Sequence, residues 1–328
     1  MEQVKEGYLI DCISGQTLKA TPEEVQAVQP FAKKLMEDYG YPVAHIQTRP
    51  QWHVKVRPSD VKKEYPVDIA VFSDNKHSDE NLYMVVECKK KNRKDGRTQL
   101  EDYMRLSKAS LGVWYNGDET LYLRKYESDG KISFIEIPNI PLYGQRVEDV
   151  GLFKRKDLKR THNLKSVFNS IRNYLAANNT GITLDTEFVS QIINLIFCKI
   201  YDERFTKPND MVSFRAGINE NISDVAKRII GIFEHVKAKY PDVFTASDII
   251  TLSDSSIAYI AGEIQQYCLI ESERDVIADA FETFISPSLR GGQGQFFTPR
   301  NVVKLLVSLA NPTRKDRLVD PACGSGGF

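Results

Sequence analysis

The sequence lacks most of the features that assign a protein class by composition. Its five cysteines are scattered, with no Cys-x-x-Cys pair and no histidines at zinc spacing, which favours a reducing compartment and argues against structural zinc. We find no signal peptide and no apolar run near the length of a membrane span, so we expect a cytoplasmic protein that does not bind membranes. The sequence also lacks net charge, with 44 basic and 44 acidic residues. A polyanionic partner must therefore be inferred from local patches.

The chain has 328 residues, 41% of them hydrophobic, which is enough for a sizeable core and two or three domains. Its most informative stretch is a pair of predicted strands at residues 65–72 and 82–89, separated by a polar turn. Because side chains alternate along a strand, Glu87 and Lys89 share a face. Antiparallel pairing of the two strands would bring Asp68 to that face. Two converging carboxylates repel each other, so this arrangement favours a site for a divalent cation.

A basic turn at residues 90–97 follows the second strand and leads into a predicted helix that carries Gln99 and Tyr103. These two residues are four apart and therefore lie on one helical face. Positive charge beside paired carboxylates suits a substrate with a phosphate backbone, because phosphate contacts supply most non-specific affinity for DNA. Taken alone, the helix fits an ordinary amphipathic helix equally well.

These segments resemble the motifs of one nuclease family. Residues 66–68 (Pro-Val-Asp) and 87–89 (Glu-Cys-Lys) resemble the PD-(D/E)XK signature. Residues 99–103 resemble the Gln-x-x-x-Tyr helix in the amino-terminal nuclease domain of type I restriction enzymes. The resemblance implies a Mg²⁺ site and a catalytic group, formed by Asp68, Glu87, the main-chain carbonyl of Cys88, Lys89, Gln99 and Tyr103. In the family the acids bind the metal, the lysine serves the attacking water, and the glutamine and tyrosine position the DNA strand.

A first helix is predicted from residue 21 to about residue 39. Thr21 is a good N-cap, and Glu24 completes a capping box. Helical spacing predicts one buried face, formed by Val25, Val28, Phe31, Leu35 and Met36. In the nuclease family an acid on such a helix sometimes joins the metal site, so Glu23 and Glu24 are candidates. The local interpretation is that Glu24 caps the helix and Glu23 is a favourable charge at its start.

The remaining patterns predict a meander followed by helices. Three strand patterns with tight turns between them occupy residues 111–117, 120–126 and 131–137. Helical patterns follow at residues 164–177, 187–201, 222–240 and 256–267. The basic segment at residues 154–165 is either a contact to DNA phosphates or a solvated connector. No catalytic constellation is recognisable in the helical part.

The end of the chain resembles a second family. Residues 294–299 (Gly-Gln-Phe-Phe-Thr-Pro) and 320–328 (Asp-Pro-Ala-Cys-Gly-Ser-Gly-Gly-Phe) are similar to the S-adenosylmethionine motifs of N6-adenine DNA methyltransferases. The resemblance implies cofactor binding by Phe297, Thr298, Pro299, Asp320, Ala322, Gly324 and Gly326. The family's catalytic motif, Asn or Asp-Pro-Pro-aromatic, does not follow. We therefore expect an amino-terminal fragment that cannot methylate DNA by itself.

Together the two resemblances imply a type IIG restriction–modification enzyme, since no Walker-type motif of a helicase motor is present. We expect an α/β fold: a PD-(D/E)XK nuclease-like mixed sheet with flanking helices at residues 1–150, an all-α helical connector at 151–290, and the truncated start of a Rossmann-like methyltransferase at 291–328. The expected partners are double-stranded DNA, a separate or C-terminal specificity module, and a second copy for cutting both strands. Two alternatives stay open: a methyltransferase subunit whose nuclease-like domain only binds DNA or assembles, and a non-enzymatic scaffold.

Overall fold

A computed structural model describes residues 5–54, 65–160, 164–178, 185–271, 300–321 and 323. The strands are β1 (Tyr8–Ile10), β2 (Thr17–Lys19), β3 (Ile46–Gln47), β4 (Trp52–Val54), β5 (Tyr65–Val67), β6 (Ile69–Phe72), β7 (Leu82–Cys88), β8 (Leu111–Tyr115), β9 (Thr120–Ser128) and β10 (Lys131–Glu136). The α-helices are α1 (Gln29–Glu37), α2 (Arg97–Leu106), α3 (Leu164–Asn178), α4 (Asp185–Phe205), α5 (Ile222–Lys239), α6 (Asp254–Ile264) and α7 (Arg300–Ala310). The expected α/β class, a mixed sheet with flanking helices and then further helices, is confirmed.

The central sheet has six strands in the order β10-β9-β8-β7-β6-β3. Strands β7 and β8 are parallel and are joined by a crossover through α2, whereas the other neighbours in this sheet are antiparallel. The predicted antiparallel pair is present as β6 and β7, and the predicted meander as β8, β9 and β10. Two further pairs, β1 with β2 and β4 with β5, lie outside this sheet. We call residues 5–150 the sheet module.

The sheet is buried on both faces, which explains the apolar runs in its central strands. One face packs against α1, with Met84, Val86 and Cys88 in the same cluster as Phe31 and Leu35. The other packs against α2, with Val85, Leu100, Tyr103 and Met104 in one cluster. Glu87, which alternates with Val86 and Cys88 along β7, is therefore on the α2 side.

The first helix differs from the expected one at its start. Thr21 Oγ1 accepts a hydrogen bond from the Glu24 N–H at 3.2 Å, as an N-cap does. Residues Glu24–Val28 then form a π-helical turn before α1 begins. Such a turn is wider than an α-helical one, so the residues in it rotate relative to α1. Val25 is 52% exposed as a result, and its predicted place on the buried face is wrong.

The helices α3 to α6 share one apolar core, which holds Phe168, Leu195, Ile229 and Ile257. We call residues 151–271 the helical module, of which 161–163 and 179–184 lie outside the described residues. All four predicted helices are present, with ends that differ from the predicted ones by a few residues. Apolar residues at helical spacing also predict a helix at residues 275–285, and this segment lies outside the described residues. None of the described helices is both long enough and apolar enough to cross a bilayer.

A buried junction ties the two modules together. Glu263 of α6 is 2% exposed. Its carboxylate accepts a hydrogen bond from the Tyr122 hydroxyl at 2.8 Å and pairs with Lys34 Nζ at 3.3 Å. Beside it, Asn139 Nδ2 donates to the Gly262 carbonyl at 2.9 Å. Separating the modules would break these buried hydrogen bonds and the ion pair, so the junction favours one arrangement of the two modules.

Candidate active site

Asp68 lies at a break between two strands. The predicted strand at 65–72 is interrupted there, because β5 pairs with β4 while β6 joins the central sheet beside β7. The Asp68 carboxylate accepts a hydrogen bond from the Cys88 N–H at 2.7 Å and another from Gln51 Nε2 at 3.4 Å. The break therefore turns Asp68 to the carboxyl end of β7. Gln51 was not among the predicted site residues, because nothing local in the sequence marks a contact across the sheet.

Glu87 and Lys89 meet Asp68 at this end of β7. Lys89 Nζ forms an ion pair with Glu87 Oε1 and also donates a hydrogen bond to Gln99 Oε1 at 3.4 Å. Glu87 is 2% exposed, whereas Lys89 is half-buried and Gln99 is exposed. The Cys88 side chain lies in the core on the opposite face, so only its main chain faces this group. The structure thus brings the two acids and the amine to one place.

The electrostatics of the site favour a cation. Burial, with the nearby Glu23 charge, raises the pKa of Asp68 from 3.8 to about 6. Burial and then the charge of Asp68 raise the pKa of Glu87 from 4.5 to about 7. For Lys89, burial disfavours the charged form, but the hydrogen bond and the charge of Glu87, with the charge of Asp68, outweigh it and raise its pKa. The raised pKa values mean that the two acids do not readily ionise together. A cation that binds between them stabilises their charged forms.

The donor set fits Mg²⁺. The described residues contain no cluster of three or more His, Cys, Asp or Glu side chains arranged to hold a metal. The oxygen donors at this end of β7 are the carboxylates of Asp68 and Glu87 and the Cys88 carbonyl, and a cation held by them would complete its shell with water and substrate phosphate. Mg²⁺ commonly binds in this way, through one or two carboxylates while keeping several waters.

The two candidate acids before α1 have different surroundings. Glu24 is buried, forms an ion pair with Arg49, and accepts a hydrogen bond from Gln29 Nε2 at 3.2 Å. Glu23 is half-buried, and its charge raises the pKa of both Asp68 and Glu87. Of the two, Glu23 therefore has the clearer electrostatic influence on the site. No local pattern indicates the ion pair of Arg49, since its partner is 25 residues away.

Helix α2 supports the site from the side of Glu87. Gln99 Nε2 donates to the Tyr103 hydroxyl, and that hydroxyl donates to the Pro66 carbonyl at 3.0 Å. Tyr103 is 1% exposed, so the predicted contact between Tyr103 and the DNA backbone does not fit its position. Its side chain instead links α2 to β5 and holds the amide of Gln99. The carboxyl end of α2 is held by Lys125 Nζ, which donates to the Met104 and Ser107 carbonyls at 2.8 and 2.7 Å.

Gly96 allows α2 to begin close to this site. Its φ of 110° disfavours other residues, and a Cβ there would lie 2.9 Å from Lys89 Cε and 3.0 Å from Trp114 Nε1. We expect Gly96→Ala to lower the free energy of unfolding by about 1 kcal/mol or more, measured by urea denaturation. Gly231→Ala in α5 is the matched control, because among the described residues nothing beyond its own helix backbone and chain neighbours lies within 4 Å of its Cβ position. A helical glycine replaced in this way should gain about 0.5–1 kcal/mol, and equal effects of the two substitutions would contradict the packing argument.

The predicted cofactor site lies almost wholly outside the described residues. This holds for Phe297, Thr298, Pro299, Ala322, Gly324 and Gly326. Asp320 is described and is exposed, and it follows Leu318 and Val319, which are 74% and 86% exposed. The order of a strand, an acid and a glycine-rich turn in the sequence predicts a strand just before Asp320; the described part of the chain pairs no strand with these residues, so that strand is not formed.

Two family models match parts of this chain. Residues 22–141 match the family described as type I restriction enzyme R protein N terminus (HSDR_N). Residues 272–328 match the family described as N-6 DNA methylase. The first match contains the acids, the lysine and the helix α2 of the site described above. The chain is thus similar to an HSDR_N domain over residues 22–141 and to an N-6 DNA methylase over residues 272–328.

Three curated relatives match over stretches of 57, 58 and 159 residues. The type I restriction enzyme EcoEI methylase subunit of Escherichia coli is 37% identical over 57 residues, which are 17% of this chain and 12% of that protein. The HindI methylase subunit of Haemophilus influenzae is 38% identical over 58 residues, 17% of this chain and 13% of that protein. The MjaVII methylase subunit of Methanocaldococcus jannaschii is 24% identical over 159 residues, 47% of this chain and 25% of that protein. The chain therefore spans a quarter or less of each of these relatives.

Proposed function

We propose that this chain is the DNA-cleaving part of a restriction–modification protein of the type IIG kind, a Mg²⁺-dependent endonuclease joined to an N6-adenine methyltransferase. The observation that carries the proposal is the meeting of Asp68, Glu87 and Lys89 at the end of β7. The raised pKa values of the two acids mark a place where a cation is favoured. The HSDR_N match over the same residues supports the same chemistry.

In this proposal Asp68, Glu87 and the Cys88 carbonyl hold Mg²⁺. Mg²⁺, when bound, polarises the scissile phosphate and lowers the pKa of a coordinated water. Lys89 places its ammonium beside Glu87, where it steadies the attacking hydroxide and the negative charge that develops on the phosphate. The Asp68 carboxylate is oriented by the Cys88 N–H, so one oxygen is fixed before any ligand arrives.

In this mechanism Gln99 and Tyr103 are positioning residues. The Gln99 carbonyl oxygen accepts from Lys89 Nζ, and its amide donates to the Tyr103 hydroxyl. The buried tyrosine holds Gln99 in the orientation that points its oxygen at the lysine. Gln99 itself is exposed and can donate to a strand lying over the site.

The carboxy-terminal segment supplies the second activity in this proposal. Residues 272–328 would begin an S-adenosylmethionine-binding methyltransferase domain, as the N-6 DNA methylase match supports. Double-stranded DNA is the substrate of both activities, and a specificity module selects the site. Cutting both strands would use a second copy of the protein.

One alternative function has direct support. The three relatives described above are all methylase subunits, so the sheet module could serve a methyltransferase as a DNA-binding or assembly domain that does not cut. The two functions differ in one measurement, the nicking of supercoiled plasmid by the full chain with Mg²⁺ or Mn²⁺. Open-circular product that disappears with EDTA supports the nuclease. Stable DNA binding without product under both metals supports the alternative.

A further inference from the structure

A polar cleft of about 610 Å³ lies between the sheet module and α3. From the sheet module it is lined by Lys91, Gly117 and Asp118. From the helical module it is lined by Lys165, Ser166, Asn169, Arg172 and Asn173. The cleft is distinct from the catalytic group, yet Lys91 is only two residues from Lys89.

The α3 side of the cleft is a single helical face made of hydrogen-bond donors. Its residues recur at intervals of three and four, which places them in one stripe. The opposite face of α3 is buried in the helical core through Leu164, Val167, Phe168, Ile171 and Leu175. Lys165 and Arg172 are exposed, as are Ser166 and Asn169 between them. Two cations with amide and hydroxyl groups between them match the oxygens of successive phosphates.

The cleft is held in shape across the two modules. Asp118 Oδ1 pairs with Lys91 Nζ at 2.9 Å and accepts a hydrogen bond from Asn173 Nδ2, also at 2.9 Å. Among the described residues that line the cleft, Asp118 is the one acid, and Lys91 neutralises it, so Lys165 and Arg172 give this lining a net positive charge. The junction around Glu263 fixes the same two modules to each other. The basic face of α3 therefore keeps a constant position relative to Lys89.

The other basic segment of the helical module has a structural role. Arg155 Nε donates to the Glu203 carbonyl at 2.7 Å, and its guanidinium pairs with Glu271 at 3.5 Å. Arg160 pairs with the same Glu271 at 3.4 Å. For residues 155–160 of the basic segment at 154–165, these contacts favour the connector over a phosphate contact, whereas Lys165 lies on α3 and lines the cleft. The positive charge of α3 is thus the stronger candidate for a polyanion.

We infer that the α3 face and Lys91 form a binding surface for the DNA backbone beside the point of cleavage, so that the helical module is part of the nuclease's DNA-binding surface. Lys165 and Arg172 are separated by seven residues, which is about 10 Å along a helix axis. Neighbouring phosphates of one strand are separated by about 3.4 Å of duplex axis, so the two cations reach different phosphates. The inference rests on the proposed function for its ligand, a DNA duplex, but its test does not depend on cleavage.

The test compares two double variants of the full chain. Lys165→Ala/Arg172→Ala removes two charges from the cleft, whereas Lys227→Ala/Lys239→Ala removes two exposed charges from α5 that do not line it. Binding of a fluorescent duplex of about 30 base pairs is followed by anisotropy over a range of salt, with EDTA present. We expect the cleft variant to lower the slope of log affinity against log salt by about 2, and to bind about 10-fold more weakly at low salt. The α5 variant should match wild type.

Equal slopes and affinities for the two double variants would overturn the inference, provided that both melt like wild type. The nuclease proposal fails in a different way, through wild-type protein that binds the duplex but does not nick plasmid with any divalent cation. A cleft variant that binds weakly, in a protein that does not nick, would support the surface and not the nuclease. The two failures are therefore separable.

Discussion

Lys89→Ala is expected to lower Mg²⁺-dependent plasmid nicking by about 10²–10³-fold, the range found when one group that stabilises transition-state charge is removed. Lys89 Nζ contacts both Glu87 and Gln99. Because Lys89 is the one cation among Asp68, Glu87 and Lys89, the substitution removes the positive charge of the site. Initial nicking rates at saturating Mg²⁺ measure the effect. Lys33→Ala, an exposed lysine on α1, is the matched control and should nick at the wild-type rate.

The same substitution also tests the structure of the site. Removing Lys89 leaves Glu87 buried without its ion pair, which would be costly if the carboxylate stayed charged. Glu87 already has a pKa of about 7 because of burial and the Asp68 charge, so it can take up a proton instead. We therefore expect a folded protein with a modest loss of stability. A Lys89→Ala protein that melts like wild type and retains full nicking would remove Lys89 from the mechanism.

Asp68→Asn is expected to abolish nicking and, in EDTA, to raise the free energy of unfolding. Asparagine keeps the acceptor for the Cys88 N–H but removes a buried charge next to Glu87. Burial raises the pKa of Asp68 from 3.8 to about 6, and each pH unit corresponds to about 1.4 kcal/mol, so the gain at neutral pH is at most about 3 kcal/mol. The measurement is urea unfolding with and without Mg²⁺, and Mg²⁺ should stabilise wild type more than the variant. Asp102→Asn, an exposed acid on α2, is the charge-matched control.

The pH dependence of this gain has a definite sign. In wild type the raised pKa of Asp68 means that ionisation costs stability as pH rises from about 3.8 to about 6. The difference between Asp68→Asn and wild type in EDTA should therefore be largest above pH 6 and disappear towards pH 4. A difference that stays constant over this range would indicate a packing effect of the amide, and the buried-charge explanation would then be wrong.

The features that were predictable from sequence are those with a local period. Alternation along residues 82–89 correctly placed Glu87 on one side of the sheet and the side chains of Val86 and Cys88 on the other. Helical spacing located α3 to α5 within a few residues of their ends. The strand break at Asp68 was not predictable, because it arises from β5 pairing with β4 rather than with the central sheet. The π-helical turn was hidden as well, since Thr21 and Glu24 are equally good signals for an ordinary α-helix.

Long-range contacts account for the rest of what the sequence did not indicate. Tyr103 is buried because its hydroxyl meets Pro66, which is 37 residues away. The ion pair of Arg49 with Glu24 and the hydrogen bond of Gln51 to Asp68 likewise depend on how distant segments pack. No periodicity within one segment encodes such meetings. The motif residues are recognisable from residue type and spacing. The residues that contact and support them are identified only by the structure.

The Glu263 junction has a mechanical consequence for cleavage. A flexible linker between two domains permits a range of separations. The buried Glu263 carboxylate, which contacts both Tyr122 and Lys34, permits essentially one separation of the two modules. Any protein or DNA element bound by the helical module would consequently stay at a constant distance from Lys89. With the proposed function, the fold would then set the distance between that bound element and the phosphate that is cleaved.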